Sequence, residues 1–181
     1  AGAHEPSRTV IEAHGGVVST ETPEPIQRLV RYDTVTGEAK ILLEARIGDF
    51  ALSPDGTKAV VIRRAEQMPL GRPELLHMED DRRHRVAIID LESGRVVASP
   101  DDLDVAFHLL RWSPDSRGVL VWARQDGERW AEGRLGRVSV DGVDWFVRDK
   151  LDVGTSAEVA LNGVKADWIG ASPVVLSLIH I

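Results

Sequence analysis

A four-residue signature that returns after one long period is the strongest constraint on how this chain can fold. Ser53-Pro54-Asp55-Gly56 recurs as Ser113-Pro114-Asp115-Ser116, 60 residues later. A second marker, Asp33-Thr34-Val35-Thr36-Gly37, recurs as Asp90-Leu91-Glu92-Ser93-Gly94 after 57 residues, and Trp112 is echoed by Trp168 after 56. Three markers sharing nearly one period define a repeat array, and periods of roughly 40–50 residues belong to propeller blades. Inserted loops lengthen the period here. Each marker has a local cause. In Ser-Pro-Asp-Gly the proline pre-sets φ at the second position of a type I turn, the aspartate bonds nearby backbone, and glycine takes the last place. In the second marker the acidic residue and the glycine bracket a hairpin.

The segments flanking these turns read as strands: 50–52 and 58–63 around the first, 85–89 and 95–98 around the second. They do not alternate. Residues 59–62, 86–89 and 119–122 are continuous apolar runs, and short Val- and Ile-rich runs bounded by turns suit strands buried on both faces. Blades stacked face to face around an axis meet that condition, whereas a simple sandwich would expose one face. No long window keeps a 3.6-residue period, so helices are excluded as the main element.

The expected fold is therefore all-β, an incomplete β-propeller of about three four-stranded antiparallel blades, truncated at both ends. Residues 1–25 supply partial inner strands or a loop of the first blade, and residues 26–45 its outer strands, 27–32 and 38–43. Residues 46–99 form a second blade with a long insert at 65–84. Residues 104–150 form a third, with inner strands around 107–112 and 118–124 and an outer pair at 136–140 and 143–148. Residues 158–181 begin a fourth, and 176–181 are either a strand cut short or a non-native tail. An open arc of this kind leaves strand edges and blade faces without neighbours, an aggregation liability.

Composition narrows function by exclusion. Apolar residues make up 43% and charged residues 28%, a globular balance. Lys plus Arg number 22 against 29 Asp plus Glu, a net charge of -7, which argues against a nucleic-acid partner. No stretch reaches the roughly 20 apolar residues of a membrane span. The absence of cysteine rules out disulfides, thiolate metal sites and cysteine nucleophiles.

The segments 50–61 (Phe-Ala-Leu-Ser-Pro-Asp-Gly-Thr-Lys-Ala-Val-Val) and 110–121 (Leu-Arg-Trp-Ser-Pro-Asp-Ser-Arg-Gly-Val-Leu-Val) resemble the repeat of TolB-type, WD40-like bacterial propellers. They equally resemble the propeller repeat of prolyl oligopeptidase-family serine peptidases, including dipeptidyl and acylaminoacyl peptidases. The resemblance covers roughly residues 26–175. The charged insert at 65–84 favours the peptidase propeller, because blade inserts of that sort occur in that family and TolB-like blades are more regular. That kinship implies a non-catalytic part that gates peptide access to an α/β-hydrolase domain, its partner in the same chain together with further blades. The alternative is a TolB-like binding propeller without chemistry, whose partner is a peptide or protein. Either kinship favours a periplasmic or other extracytoplasmic setting over the cytoplasm. A hydrolase domain needs a G-x-S-x-G elbow, and Gly154-Thr155-Ser156-Ala157-Glu158 lacks its second glycine. No catalytic residue, cofactor site or metal site is assigned.

The candidates for substrate or interface contact are Arg82, Arg83, His84 and Trp130. Arginines of the insert can orient a peptide carboxylate bidentately or pair with nearby Glu66, Glu79 and Asp80. His77, Glu79, Asp80, Asp81 and His84 have spacings open to a metal, but a charge run reads first as a solvated face. Trp130 follows the polar stretch 126–129 and is expected at a surface or interface. Trp112 and Trp168 are expected to pack between neighbouring blades, and His108 to pack within an apolar strand. Ser156, with Asp152 and Glu158 nearby, has no histidine partner in sequence, and Asn162 is not a glycosylation acceptor.

Overall fold

The structure, a computed structural model, describes residues 10–13, 16–19, 26–69, 71, 82–107, 109–146 and 165–176. Fifteen strands in these segments pair antiparallel throughout, and the helical content described is one 3-10 turn, Trp130–Glu132. Strands β1 (Val10–Ala13) and β2 (Gly16–Ser19) pair with each other, as do β3 (Gln27–Tyr32) and β4 (Ala39–Ala45). A four-stranded meander follows: β5 (Ile47–Leu52), β6 (Lys58–Gln67), β7 (Arg82–Asp90) and β8 (Val96–Ala98). The next sheet has five strands: β9 (Leu103–Val105), β10 (Arg111–Trp112), β11 (Gly118–Gln125), β12 (Arg134–Ser139) and β13 (Gly142–Trp145). Strands β14 (Lys165–Ile169) and β15 (Ser172–Leu176) form a last hairpin.

The two Ser-Pro-Asp turns close in the same way. The Ser53 amide donates to the Lys58 carbonyl at 2.9 Å, and the Ser113 amide to the Gly118 carbonyl at 2.8 Å. Within each turn the serine hydroxyl donates to the aspartate, at 2.6 Å in both cases. One position differs between the copies. Gly56 has φ +69°, and its counterpart Ser116 takes φ +58°, a region costly for a residue with a Cβ. Ser116 Oγ offsets this by accepting the Asp55 amide of the preceding turn at 3.0 Å. The Asp33 and Asp90 hairpins also match, each with its glycine amide donating to the aspartate carbonyl at 2.8 Å.

Adjacent sheets stack face to face, and the apolar runs are the reason. Val119, Val121 and Ala123 of β11 join Val60, Ile62, Val86 and Ile88 of the preceding sheet in one core. Their neighbours Leu120 and Trp122 point the other way, into a core with Ala166 of β14. On β6, Val61 faces back toward Leu42 of β4. Strands sandwiched on both sides have no polar face to alternate. The stacking step also repeats. Trp112 Nε1 donates to the Ala51 carbonyl at 3.1 Å, and Trp168 Nε1 donates to the Arg111 carbonyl at 3.1 Å. A residue and its repeat equivalent thus reach back to equivalent strands. The chain is all-β, an incomplete β-propeller, and both tryptophans pack between neighbouring sheets as expected.

One element departs from expectation. No single inner strand runs through 107–112. Instead β9 pairs with residues 123–125 of β11 and β10 with 119–120, while Ala106, Leu109 and Leu110 between them are buried. The side chains of this stretch fill both cores rather than staying in register, so the strand breaks into two. The outer pair lies at β12 and β13, slightly earlier than the sequence implied.

Candidate functional site

Strand β6 leaves the Ser-Pro-Asp turn at Lys58 and ends at Gln67, at the opposite end of the sheet. There it outruns its neighbours: β5 stops pairing at Ile47↔Arg63 and β8 at Ile88↔Ala98, while β6 and β7 continue through Arg64↔His84 to Gln67↔Arg82. Residues 64–67 and 82–84 thus form a two-stranded arm. A lattice of arginines and carboxylates between the second and third sheets anchors its base.

Asp104 sits at the centre, fully buried between the apolar residues Leu103 and Val105 of β9. A buried carboxylate is costly unless paired and hydrogen-bonded, and here both oxygens are engaged. Oδ2 accepts from Arg124 Nε at 3.0 Å and Nη2 at 2.8 Å, with Arg83 Nη1 at 3.4 Å. Oδ1 accepts the backbone amide of His84 at 2.9 Å. Arg124 stands opposite Asp104 in the sheet register. It also donates from Nη1 to the Glu128 carbonyl at 2.9 Å and lies over the Trp130 ring at 4.3 Å. Further out, Arg85 takes Asp126 in a two-pronged grip at 3.0 and 2.8 Å and pairs with Glu66. Arg83 Nη1 reaches Asp126 at 2.9 Å. Three guanidinium groups thus meet three carboxylates.

Burial pushes the Arg124 guanidinium down from its ordinary pKa, with Asp104 acting against that shift. Arg85 goes the other way: burial lowers it, but its bonds to Asp126 and Glu66 outweigh this and leave it raised. For Glu66, partial burial opposes ionisation, and the Arg85 bond overcomes it and holds the carboxyl below its usual range. The shifts of Arg85 and Glu66 favour the ionised form of that pair, whereas burial works against the charge on Arg124. Chemically the lattice is a clamp between two sheets.

Three of the four residues expected to make contacts converge here. Arg83 and His84 are buried, and the His84 ring meets Phe107 edge-on at 6.0 Å. Trp130 corrects the sequence reading: it is 1% exposed rather than at the surface. Of its neighbours Asp126 turns into the lattice and Arg129 outward, and the 3-10 turn folds the ring under Arg124. Arg82 stays on the arm, half-buried, donating to the Ala65 carbonyl at 2.9 Å. Of the carboxylates expected as local partners, Glu66 is used; Glu79 and Asp80 lie outside the described residues. So do His77, Asp81, His108, Asp152, Ser156, Glu158 and Asn162. Among the described residues no group of three or more His, Cys, Asp or Glu is placed to hold a metal ion.

The sequence reading missed Asp104, Arg124 and Asp126. A usable signal existed. Asp104 interrupts an apolar stretch, and Arg124 extends the run 119–123 on a doubly buried strand. Asp and Arg are rarely buried without a partner.

No family model and no curated protein matches this chain. Similar solved structures include TolB from Acinetobacter baumannii, 19% identical over 78% of this chain and 29% of that one, with a TM-score of 0.41. Another is the β-propeller domain of the Trilobed protease from Pyrococcus furiosus, 17% identical over 74% of this chain and 39% of that one, TM-score 0.42. A third is a dipeptidyl aminopeptidase IV-type protein from Bacteroides ovatus, 12% identical over 75% and 27%, TM-score 0.38. This chain spans 27–39% of the length of these three. Among the described residues no helix is long and apolar enough to cross a membrane.

Proposed function

We propose that this chain is a non-catalytic propeller portion of a serine peptidase of the prolyl oligopeptidase type, gating peptide access to an α/β-hydrolase domain. The observation that carries the reading is the arm of residues 64–67 and 82–84 on its ionic base. The arm lies at one end of the stacked sheets, and its base is held by the buried Arg124–Asp104 pair. Long connections on rigid scaffolds are where access and recognition are controlled. Arg82, on the arm itself, is the residue best placed to meet a peptide carboxylate; Arg83, His84 and Trp130 serve by holding the base.

The test uses the full parent chain. A fluorophosphonate probe should label one serine outside residues 1–181, and shortening 68–81 to a tight turn should admit longer peptides without loss of labelling. A parent chain that takes no label, yet binds a protein partner through this region, favours the TolB-like binding propeller instead. An extracytoplasmic setting goes with either reading, and cell fractionation of the parent tests it.

A further inference from the structure

The first sheet differs from its successors on its inner side. In the second and third sheets the outer pair continues inward to an inner hairpin, whereas β3–β4 and β1–β2 each hydrogen-bond only within the pair. Beside β3 lies an apolar groove of about 270 Å³, lined by Leu29, Val30, Tyr32, Phe50, Leu52 and Leu91 among others. Phe50 and Leu52 on β5 are 51% and 60% exposed. Their equivalents 60 residues on fare differently: Leu110 is buried, and Trp112 packs against the same core. What covers them is the preceding sheet's inner hairpin, through Ala51, Val60 and Ile62.

We propose that the hairpin of residues 10–19 is the inner pair of the first sheet, docking along the free edge of β3 and over this groove. The occupant follows from the repeat. Asp33 corresponds to Asp90, and the last pair before each inner turn, Ala13↔Gly16, corresponds to Leu52↔Ala59. Carrying over the β6–β7 pairs Val61↔Ala87 and Val60↔Ile88 sets Val18 opposite Val30 and Val17 opposite Arg31. The connection 20–26 is seven residues, an extended reach of about 23 Å, against a strand spacing of about 4.8 Å. Five of the eight strand residues of the hairpin are apolar. The groove is also continuous with the core of Leu42, Val61 and Ile89 that already joins the first and second sheets. Docking would satisfy backbone groups on an edge that otherwise invites foreign strands.

The chain has no cysteine, so a Val18→Cys, Val30→Cys double variant reports the register directly. Under mild oxidation an intramolecular disulfide should form in most molecules, read by mobility on a non-reducing gel and by loss of free thiol. A covalent dimer overturns the proposal and makes a second copy's hairpin the occupant. Two persistently free thiols overturn it outright. If that variant does not fold, hydrogen exchange on the unmodified chain against Val18→Pro decides, since proline removes a ladder donor. Exchange at residues 27–32 should quicken at least about ten-fold while that of β11 is unchanged. Equal exchange at 27–32 in the two chains overturns the proposal.

Discussion

Arg124–Asp104 and Arg28–Glu44 are both cross-strand pairs, directly opposite in register, with nearly equal nitrogen–oxygen distances of 2.8 and 2.7 Å. Their surroundings are opposites. The first pair is fully buried, covered by Arg83 and His84 of the neighbouring sheet and by Trp130; the second is 66% and 52% exposed. Geometry alone therefore says little about what an ion pair contributes. In water, two hydrated ions give up little on meeting and gain little. In the interior, neither can be removed without stranding the other. The third sheet is joined to the second by the buried charge lattice as well as by an apolar core. The first sheet meets the second through apolar contacts, an open groove and exposed bonds from Arg31 and Lys40 to the Leu91 and Glu92 carbonyls.

The largest effect should come from Asp104→Ala, which leaves Arg124 buried without its carboxylate. A loss of about 3–5 kcal/mol in urea unfolding is expected. A loss of under about 1 kcal/mol would mean that water reaches the lattice, and the contrast would collapse. Pairing the two changes as Asp104→Leu with Arg124→Met should restore most of the stability, because an apolar pair carries no stranded charge.

Acid comes next, acting on the turns and on Glu66 of the lattice. Hydrogen bonds from the Ser53 hydroxyl and the Thr57 amide hold Asp55 at about 2, against an ordinary 3.8. Asp115 and Asp90 are lowered chiefly by the hydroxyls of Ser113 and Ser93, and Asp33 by backbone amides. A carboxyl whose folded pKa is depressed contributes stability above its unfolded pKa and loses it as pH falls through the folded one. Urea midpoints should therefore hold down to about pH 4 and then decline toward pH 2. A flat profile across that window contradicts the role given to the turns.

Trp112→Phe keeps the ring in the core but deletes the N–H bonded to Ala51, so about 1 kcal/mol should be lost. Glu44→Ala should have the smallest effect, a cost of about 0.5 kcal/mol or less that shrinks further in 1 M salt, where the screening length falls to about 3 Å. A salt-resistant loss as large as that of Asp104→Ala would erase the distinction between the pairs.

The fold was legible because its determinants are local and repeated. Ser53–Gly56 and Asp33–Gly37 announce their own turns, and the unbroken runs at 59–62 and 119–122 announce burial on both faces. The lattice was not legible because its partners are distant. Arg85 has Glu66, Glu79 and Asp80 close in sequence, yet its two-pronged partner is Asp126, 41 residues away. Trp130 misled for a related reason: the polar character of residues 126–129 says nothing about which way the ring faces. Only the stacking step brings Arg124 and Asp104 next to Arg83, and that step is a tertiary property.

The tryptophan–carbonyl bonds described above run one way along the chain. Trp168 reaches back to Arg111, and Trp112 back to Ala51. The second and third sheets are each finished by their successor's indole, so this part of the stack has a polarity that matches the order of synthesis, in which N-terminal units form first. A nascent chain can thus lay down one platform before the ribosome releases the side chain that fastens onto it. Growth by such ratcheting needs no segment to wait for a distant tail.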